Sequence, residues 1–149
     1  MASIRARDPD NLILVGTQSW SQDVDLAAAN PLKNVTNVAY SLHFYAGTHK
    51  AELRAKAQKA LDAGLALFVS EWGTVNANGD GEIDTESVEQ WLEFIKKNEL
   101  SFCTWSVVNK DESSAIVKPT VTTLGPWSDT ELTDNGLYLK SIIETWETN

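Results

Sequence analysis

Ala66-Leu67-Phe68-Val69-Ser70-Glu71-Trp72-Gly73 is a short apolar run that stops on a carboxylate flanked by a serine and a tryptophan. Its length and its bounding glycine suit a buried strand better than a helix. Parallel strands of α/β proteins are apolar throughout and present chemistry at their carboxyl ends. Glu71 at such an end is a candidate nucleophile or proton carrier for sugar chemistry, which normally sets two carboxylates about one glycosidic bond. The obvious second carboxylate is missing from this sequence.

Outward from this run, the chain reads as four strand–helix units. Leu12 to Val15 is an apolar run closed by Gly16, followed by a short helical stretch from Val24 to Asn30 that stops at Pro31. Asn37 to His43 is the second strand. Its helix is expected to start near Thr48 or His49, to carry Leu53, Ala57, Ala60 and Leu61 as its apolar stripe, and to end at Gly64. After the third strand, Leu65 to Ser70, a helix capped by Asp84 or Thr85 carries Val88, Trp91, Leu92 and Ile95 at i, i+3, i+4 and i+7. Ser101 to Ser106 is the fourth strand. A long loop, Val107 to Asp134, leads to a last helix with Leu139, Ile142, Ile143 and Trp146 on one face.

Alternating strands and helices imply a parallel sheet with right-handed crossovers. An open doubly wound sheet and part of a (β/α)8 barrel both fit. The strand ends favour the barrel, because each carries polar or aromatic residues: Gln18 with Trp20, His43 with Tyr45, Glu71 with Trp72, and Trp105. No glycine-rich phosphate loop follows any strand. The expected fold is therefore α/β, a (βα)4 half of a TIM barrel, in one domain spanning 1–149.

Composition narrows the partners. The net charge of −9 disfavours nucleic acid and anionic membrane surfaces, and suits a neutral ligand. No run approaches the roughly 20 apolar residues of a membrane span, and Met1-Ala2-Ser3 opens without a visible signal peptide. The single cysteine, Cys103, excludes an internal disulfide and is expected to be a buried, inert thiol. Six tryptophans divide between core and sugar-stacking roles: Trp72, Trp91 and Trp146 suit packing, and Trp127 suits either. Asn76 to Ser87 partly matches a calcium loop, but Asn76 and Ser87 stand where Asp and a bidentate Glu are needed. Neither a metal nor another cofactor is expected. Asn34-Val35-Thr36 is a weak match to a glycosylation sequon.

Four runs together carry a family resemblance. They are Ile13-Leu14-Val15-Gly16-Thr17-Gln18-Ser19-Trp20-Ser21-Gln22, Ser41-Leu42-His43-Phe44-Tyr45-Ala46-Gly47-Thr48-His49, Phe68-Val69-Ser70-Glu71-Trp72-Gly73-Thr74, and Thr104-Trp105-Ser106 continuing to Ser114. In this order they resemble the bacterial endo-β-1,4-glucanases of glycoside hydrolase family five, retaining cellulases with a (β/α)8 barrel. The resemblance implies that Glu71 is the nucleophile, with His43 and Tyr45 beside the cleavage point and Tyr45 hydrogen-bonding the nucleophile. It implies that Trp105 is the glycone-side platform, that Lys110 and Glu112 bond sugar hydroxyls, and that Trp20 stacks on the aglycone side. It also implies a β-1,4-glucan or cello-oligosaccharide ligand and secretion in the parent family.

The runs correspond to the second half of that barrel. The half bearing the Asn-Glu-Pro motif and the general acid/base has no counterpart here. Losing general acid assistance costs about 10²–10⁴-fold in rate, so an impaired hydrolase is expected, or else a non-catalytic half-barrel module that binds oligosaccharide. Two unpaired sheet edges lead to an expectation of self-association, or of pairing with an N-terminal half. In a two-copy ring the Glu71 residues would stand four strands apart, whereas the family's pair stands three apart.

Overall fold

A computed structural model describes residues 1–146. Four parallel strands, β1 (Ile13–Val15), β2 (Val38–Tyr45), β3 (Leu67–Gly73) and β4 (Phe102–Thr104), form one sheet in the order β1-β2-β3-β4. Helix α1 (Ala2–Arg5) precedes β1, the turn-like α2 (Gln18–Ser21) and α3 (Val24–Ala29) join β1 to β2, and α4 (Ala51–Asp62) joins β2 to β3. Then α5 (Thr85–Lys97) joins β3 to β4, and a single 3-10 turn, Asp129–Glu131, precedes α6 (Asp134–Thr145). This is the expected series of four βα units.

The sheet has two unlike faces because side chains alternate along a strand. Tyr40, Leu42 and Phe44 of β2 and Leu67, Val69 and Trp72 of β3 are buried in a core with Leu53, Ala57, Val88, Trp91, Ile95 and Leu139 of the helices. At its centre Phe44 stacks on Trp91, with ring centroids 3.8 Å apart and planes 8° apart, and on Trp72 at 5.4 Å. The Trp91 indole N–H donates to the His49 carbonyl at 2.8 Å, so this buried ring keeps its polar partner. The packing expected of Trp72, Trp91 and Trp146 is present, Trp146 lying edge-on to Phe102.

Among the described residues no helix layer covers the opposite face, and this overturns the expectation for Cys103. The thiol is exposed, because its neighbour Phe102 packs against the core and alternation sends Cys103 to the bare face. Leu14 of β1 is exposed for the same reason. Ile143, expected on the apolar stripe of α6, is also exposed, and with Phe102, Leu100 and Trp146 it lines a groove along the free edge of β4.

Local chemistry sets the boundaries. Asp84 caps α5, accepting from the Ser87 N–H at 3.0 Å. Helix α4 starts at Ala51, later than expected, because His49 bonds elsewhere: its Nδ1 accepts from the Tyr45 N–H at 2.9 Å. Helix α6 is capped by Thr133, whose hydroxyl accepts from the Gly136 N–H and donates to the Ala115 carbonyl. Helix α1, which no sequence pattern announces, is tied down through Arg5, whose guanidinium donates to the carbonyls of Asn11, Thr36 and Asn37.

Candidate active site

Strand β2 runs two residues beyond its expected end at His43, so Tyr45 lies within it as well. Their side chains alternate away from the core residues Leu42 and Phe44, towards the uncovered face. On β3 the register slips. Ser41 pairs with Phe68, but His43 pairs with Glu71, so β3 holds one extra residue between these pairs. The pairing with β4 slips likewise between Val69 and Trp72. This is a β-bulge, a device that re-aims a side chain. It interrupts the alternation, and both Ser70 and Glu71 are half-buried before Trp72 returns to the core.

Four side chains meet there. The Tyr45 hydroxyl donates to Glu71 Oε1 at 2.7 Å. His43 Nδ1 lies 3.7 Å from Glu71 Oε2, and its Nε2 is 2.8 Å from Ser70 Oγ. The Tyr45 ring reaches Glu71 by crossing Gly73, where an added Cβ would come within 2.6 Å of the ring. Burial, the hydrogen bond to Glu71 and the Glu71 charge together raise the Tyr45 pKa well above the ordinary phenol value. The phenol therefore stays protonated and remains a donor. Burial lowers the His43 pKa, against the opposing pull of the Glu71 carboxylate, so the imidazole is neutral at pH 7.

The remaining residues singled out from sequence surround this group at different removes. Trp105 follows β4, its N–H donating to the Trp72 carbonyl at 2.8 Å, and its indole is 42% exposed. Lys110 and Glu112 face each other in the next loop at 3.8 Å, Lys110 being the more exposed. Glu112 also accepts from Ser114 Oγ at 2.5 Å and packs against Gly79, so it links the loops that follow β3 and β4. Its charge reaches Tyr45 as well, adding to the upward shift of that phenol.

Trp20 stands two strands from Glu71, after β1, and is 85% exposed. Ser19, Trp20 and Ser21 all adopt left-handed φ values, 54°, 53° and 62°. A non-glycine residue in that region costs roughly 1–2 kcal/mol, so this turn persists only where its surroundings hold it. Trp127 is fixed by its own loop: its indole N–H donates to the Thr123 carbonyl at 3.0 Å, and Gly125 lies against the ring.

Sequence reasoning did not assign Ser70 a part in the site. Its only signal was adjacency to Glu71, and its contact with His43 depends on the bulge. Asn135 was missed entirely. It is buried, accepts from Thr74 Oγ1 at 2.6 Å and donates to the Ser114 carbonyl at 2.8 Å, joining α6 to the loops after β3 and β4. The calcium-like loop is braced by protein groups. Asp80 accepts from the Ser113 N–H, Asn78 from the Asp80 N–H, and Asp84 pairs with Lys50. Among the described residues no group of three or more His, Cys, Asp or Glu side chains could hold a metal ion.

A carboxylate bonded by a phenol, with an imidazole beside it, thus lies near the carboxyl ends of parallel strands, where barrel enzymes carry their chemistry. The model of the cellulase family, glycosyl hydrolase family 5, matches residues 1–111, and the chain belongs to that family. Endoglucanase Z of Dickeya dadantii is 47% identical over 146 residues, which cover 98% of this chain and 32% of that protein. An endoglucanase of Clostridium saccharobutylicum is 45% identical over 141 residues, covering 95% of this chain and 31% of its own length.

Among solved structures, cellulase Cel5C_n superposes with a TM-score of 0.92 at 44% identity, covering 99% of this chain and 45% of that one. A variant of the catalytic domain of Thermobifida fusca endoglucanase Cel5A, solved with cellotetraose, gives 0.89 at 29% identity, covering 97% and 50%. The chain thus spans about a third of the endoglucanases it matches and about half of the solved domains.

Proposed function

We propose that this chain supplies the nucleophile side of a retaining endo-β-1,4-glucanase. A Glu71 oxygen attacks the anomeric carbon of a β-1,4-glucan, the glycosidic C–O bond breaks, and a glycosyl ester forms on Glu71. Water then cleaves the ester with overall retention. Tyr45 holds the carboxylate in its aimed position, and neutral His43, backed by Ser70, lines the cleavage point. Trp105 is the platform for the glycone, Trp20 for the aglycone, and Lys110 and Glu112 are placed to bond sugar hydroxyls. The observation that carries this reading is the 2.7 Å bond from the Tyr45 hydroxyl to a carboxylate that a bulge has turned onto the uncovered face.

The four strands contain one carboxylate, Glu71. The retaining geometry requires a second about 5–5.5 Å away to protonate the leaving oxygen, and we place it outside these four βα units. The free edges of β1 and β4 are the surfaces through which an N-terminal half, or a second copy, would close the ring.

Leaving-group chemistry tests this division. A dinitrophenyl leaving group departs without protonation, whereas a sugar alcohol does not. The purified chain should release dinitrophenolate from dinitrophenyl β-cellobioside, and Glu71→Gln should abolish the release. Carboxymethyl-cellulose should be turned over at least ~10²-fold more slowly than by complete family members. Equal release by wild type and Glu71→Gln would reduce the chain to an oligosaccharide-binding module. Carboxymethyl-cellulose turnover at full rate would place the acid within this chain.

A further inference from the structure

Trp20 is the most exposed indole in the molecule, and it rides on a backbone turn that none of its residues favours. The backbone bonds closing this turn are long: Ser21 N–H to Thr17 O, Gln22 N–H to Gln18 O and Asp23 N–H to Gln18 O are all 3.2 Å. Two shorter, charge-assisted bonds converge on Asp23. Ser19 Oγ donates to Asp23 Oδ2 at 2.5 Å, and Lys56 Nζ, from α4, donates to Asp23 Oδ1 at 2.6 Å.

One carboxylate oxygen thus grips the turn, and the other is anchored to a helix whose Leu53, Ala57 and Ala60 lie in the core. Asp23 stands at the N-cap of α3, where aspartate usually accepts from the backbone, yet its side chain makes no cap bond. Its carboxylate serves the turn instead. The support is mutual: bonds from Lys56 and Ser19 hold the Asp23 carboxyl below the ordinary carboxylate range, and the bond to Asp23 raises the Lys56 ammonium above its own.

We propose that Asp23, anchored by Lys56, is a positioning residue that holds the left-handed Ser19-Trp20-Ser21 turn and so fixes where the Trp20 indole meets a sugar ring. The sugar-binding half of this statement rests on the role proposed above for Trp20. The positioning half rests on the turn alone.

The structure provides its own control. Lys59, one turn further along α4, pairs with Asp25 at 3.3 Å and has no bond to the turn. In protein labelled with 5-fluorotryptophan, Trp20→Phe identifies the Trp20 fluorine resonance. Asp23→Ala and the milder Lys56→Met should shift or broaden that resonance, while Lys59→Met should not. Calorimetric affinity for cellopentaose should fall about tenfold in Trp20→Ala, and about threefold in Asp23→Ala or Lys56→Met. In the Trp20→Ala background the same two changes should cost less than about 1.5-fold, since coupled residues are non-additive.

An unmoved Trp20 resonance in both variants overturns the proposal, as does an equal affinity loss in both backgrounds. Unchanged affinity in Trp20→Ala would instead refute the sugar platform, leaving the fluorine spectra to decide the positioning role.

Discussion

Glu71 works through its neighbours. Tyr45 stays a donor, because its phenol is held protonated, and it fixes one carboxylate oxygen. His43 meets Ser70 through Nε2 and stands 3.7 Å from the other oxygen through Nδ1, and burial lowers its basicity. His49, the chain's second histidine, is neutral for a different purpose. Its Nδ1 accepts the N–H of Tyr45, a bond that protonation of Nδ1 would destroy. Both imidazoles have folded-state pKa values below the ordinary 6.5. The unfolded chain therefore takes up protons first as pH falls, and stability declines with it. The decline should begin near pH 6.5 and level off below the folded pKa values. Urea midpoints between pH 7.5 and 5 should fall less in His49→Asn than in wild type. An unchanged slope would show that His49 is not the titrating group.

The elements bring distant residues into one site through two devices, a strand bulge and a buried amide, neither of which sequence disclosed. Hydrophobic spacing disclosed α5 through Val88, Trp91, Leu92 and Ile95, and disclosed β3 as a strand bearing Glu71, although the strand runs on to Gly73 instead of ending there. The bulge at Ser70 and Glu71 was not legible, because register belongs to pairs of strands and no glycine marks it. The left-handed turn at Trp20 was hidden for the same reason: its residues are serine and tryptophan, and long-range bonds sustain it. Asn135 is the second device. Its amide closes a buried path from Thr74, at the end of β3, to Ser114, in the loop that carries Lys110 and Glu112. Asn135→Ala strands the Thr74 hydroxyl and leaves the Ser114 carbonyl only its bond from the Ser106 N–H, and should cost about 1–3 kcal/mol, read as a lower urea midpoint. A shift below ~0.5 kcal/mol would mean that the loops are held by other bonds.

At the scale of the whole molecule, the helices cover one face of the sheet and leave the other bare. Cys103 and Ile143 read as core residues in sequence because periodicity reports which side chains share a face, not whether that face is covered. The same bareness makes the His43–Tyr45–Glu71 group accessible, and it leaves the edges of β1 and β4 unpaired. Unpaired parallel edges flanked by Leu14, Phe102 and Ile143 favour association. Light scattering at micromolar concentration should give a mass above the 16.4 kDa of one chain. A strictly monomeric mass would mean that the edges are stable alone. The central claim is that Glu71 is the glycosyl acceptor, and covalent trapping tests it most directly. Incubation with dinitrophenyl 2-deoxy-2-fluoro-β-cellobioside, followed by peptic digestion and mass spectrometry, should place one fluorocellobiosyl ester on the peptide containing Glu71, with none in Glu71→Gln. An unmodified chain, or a label on another carboxylate, would contradict the account.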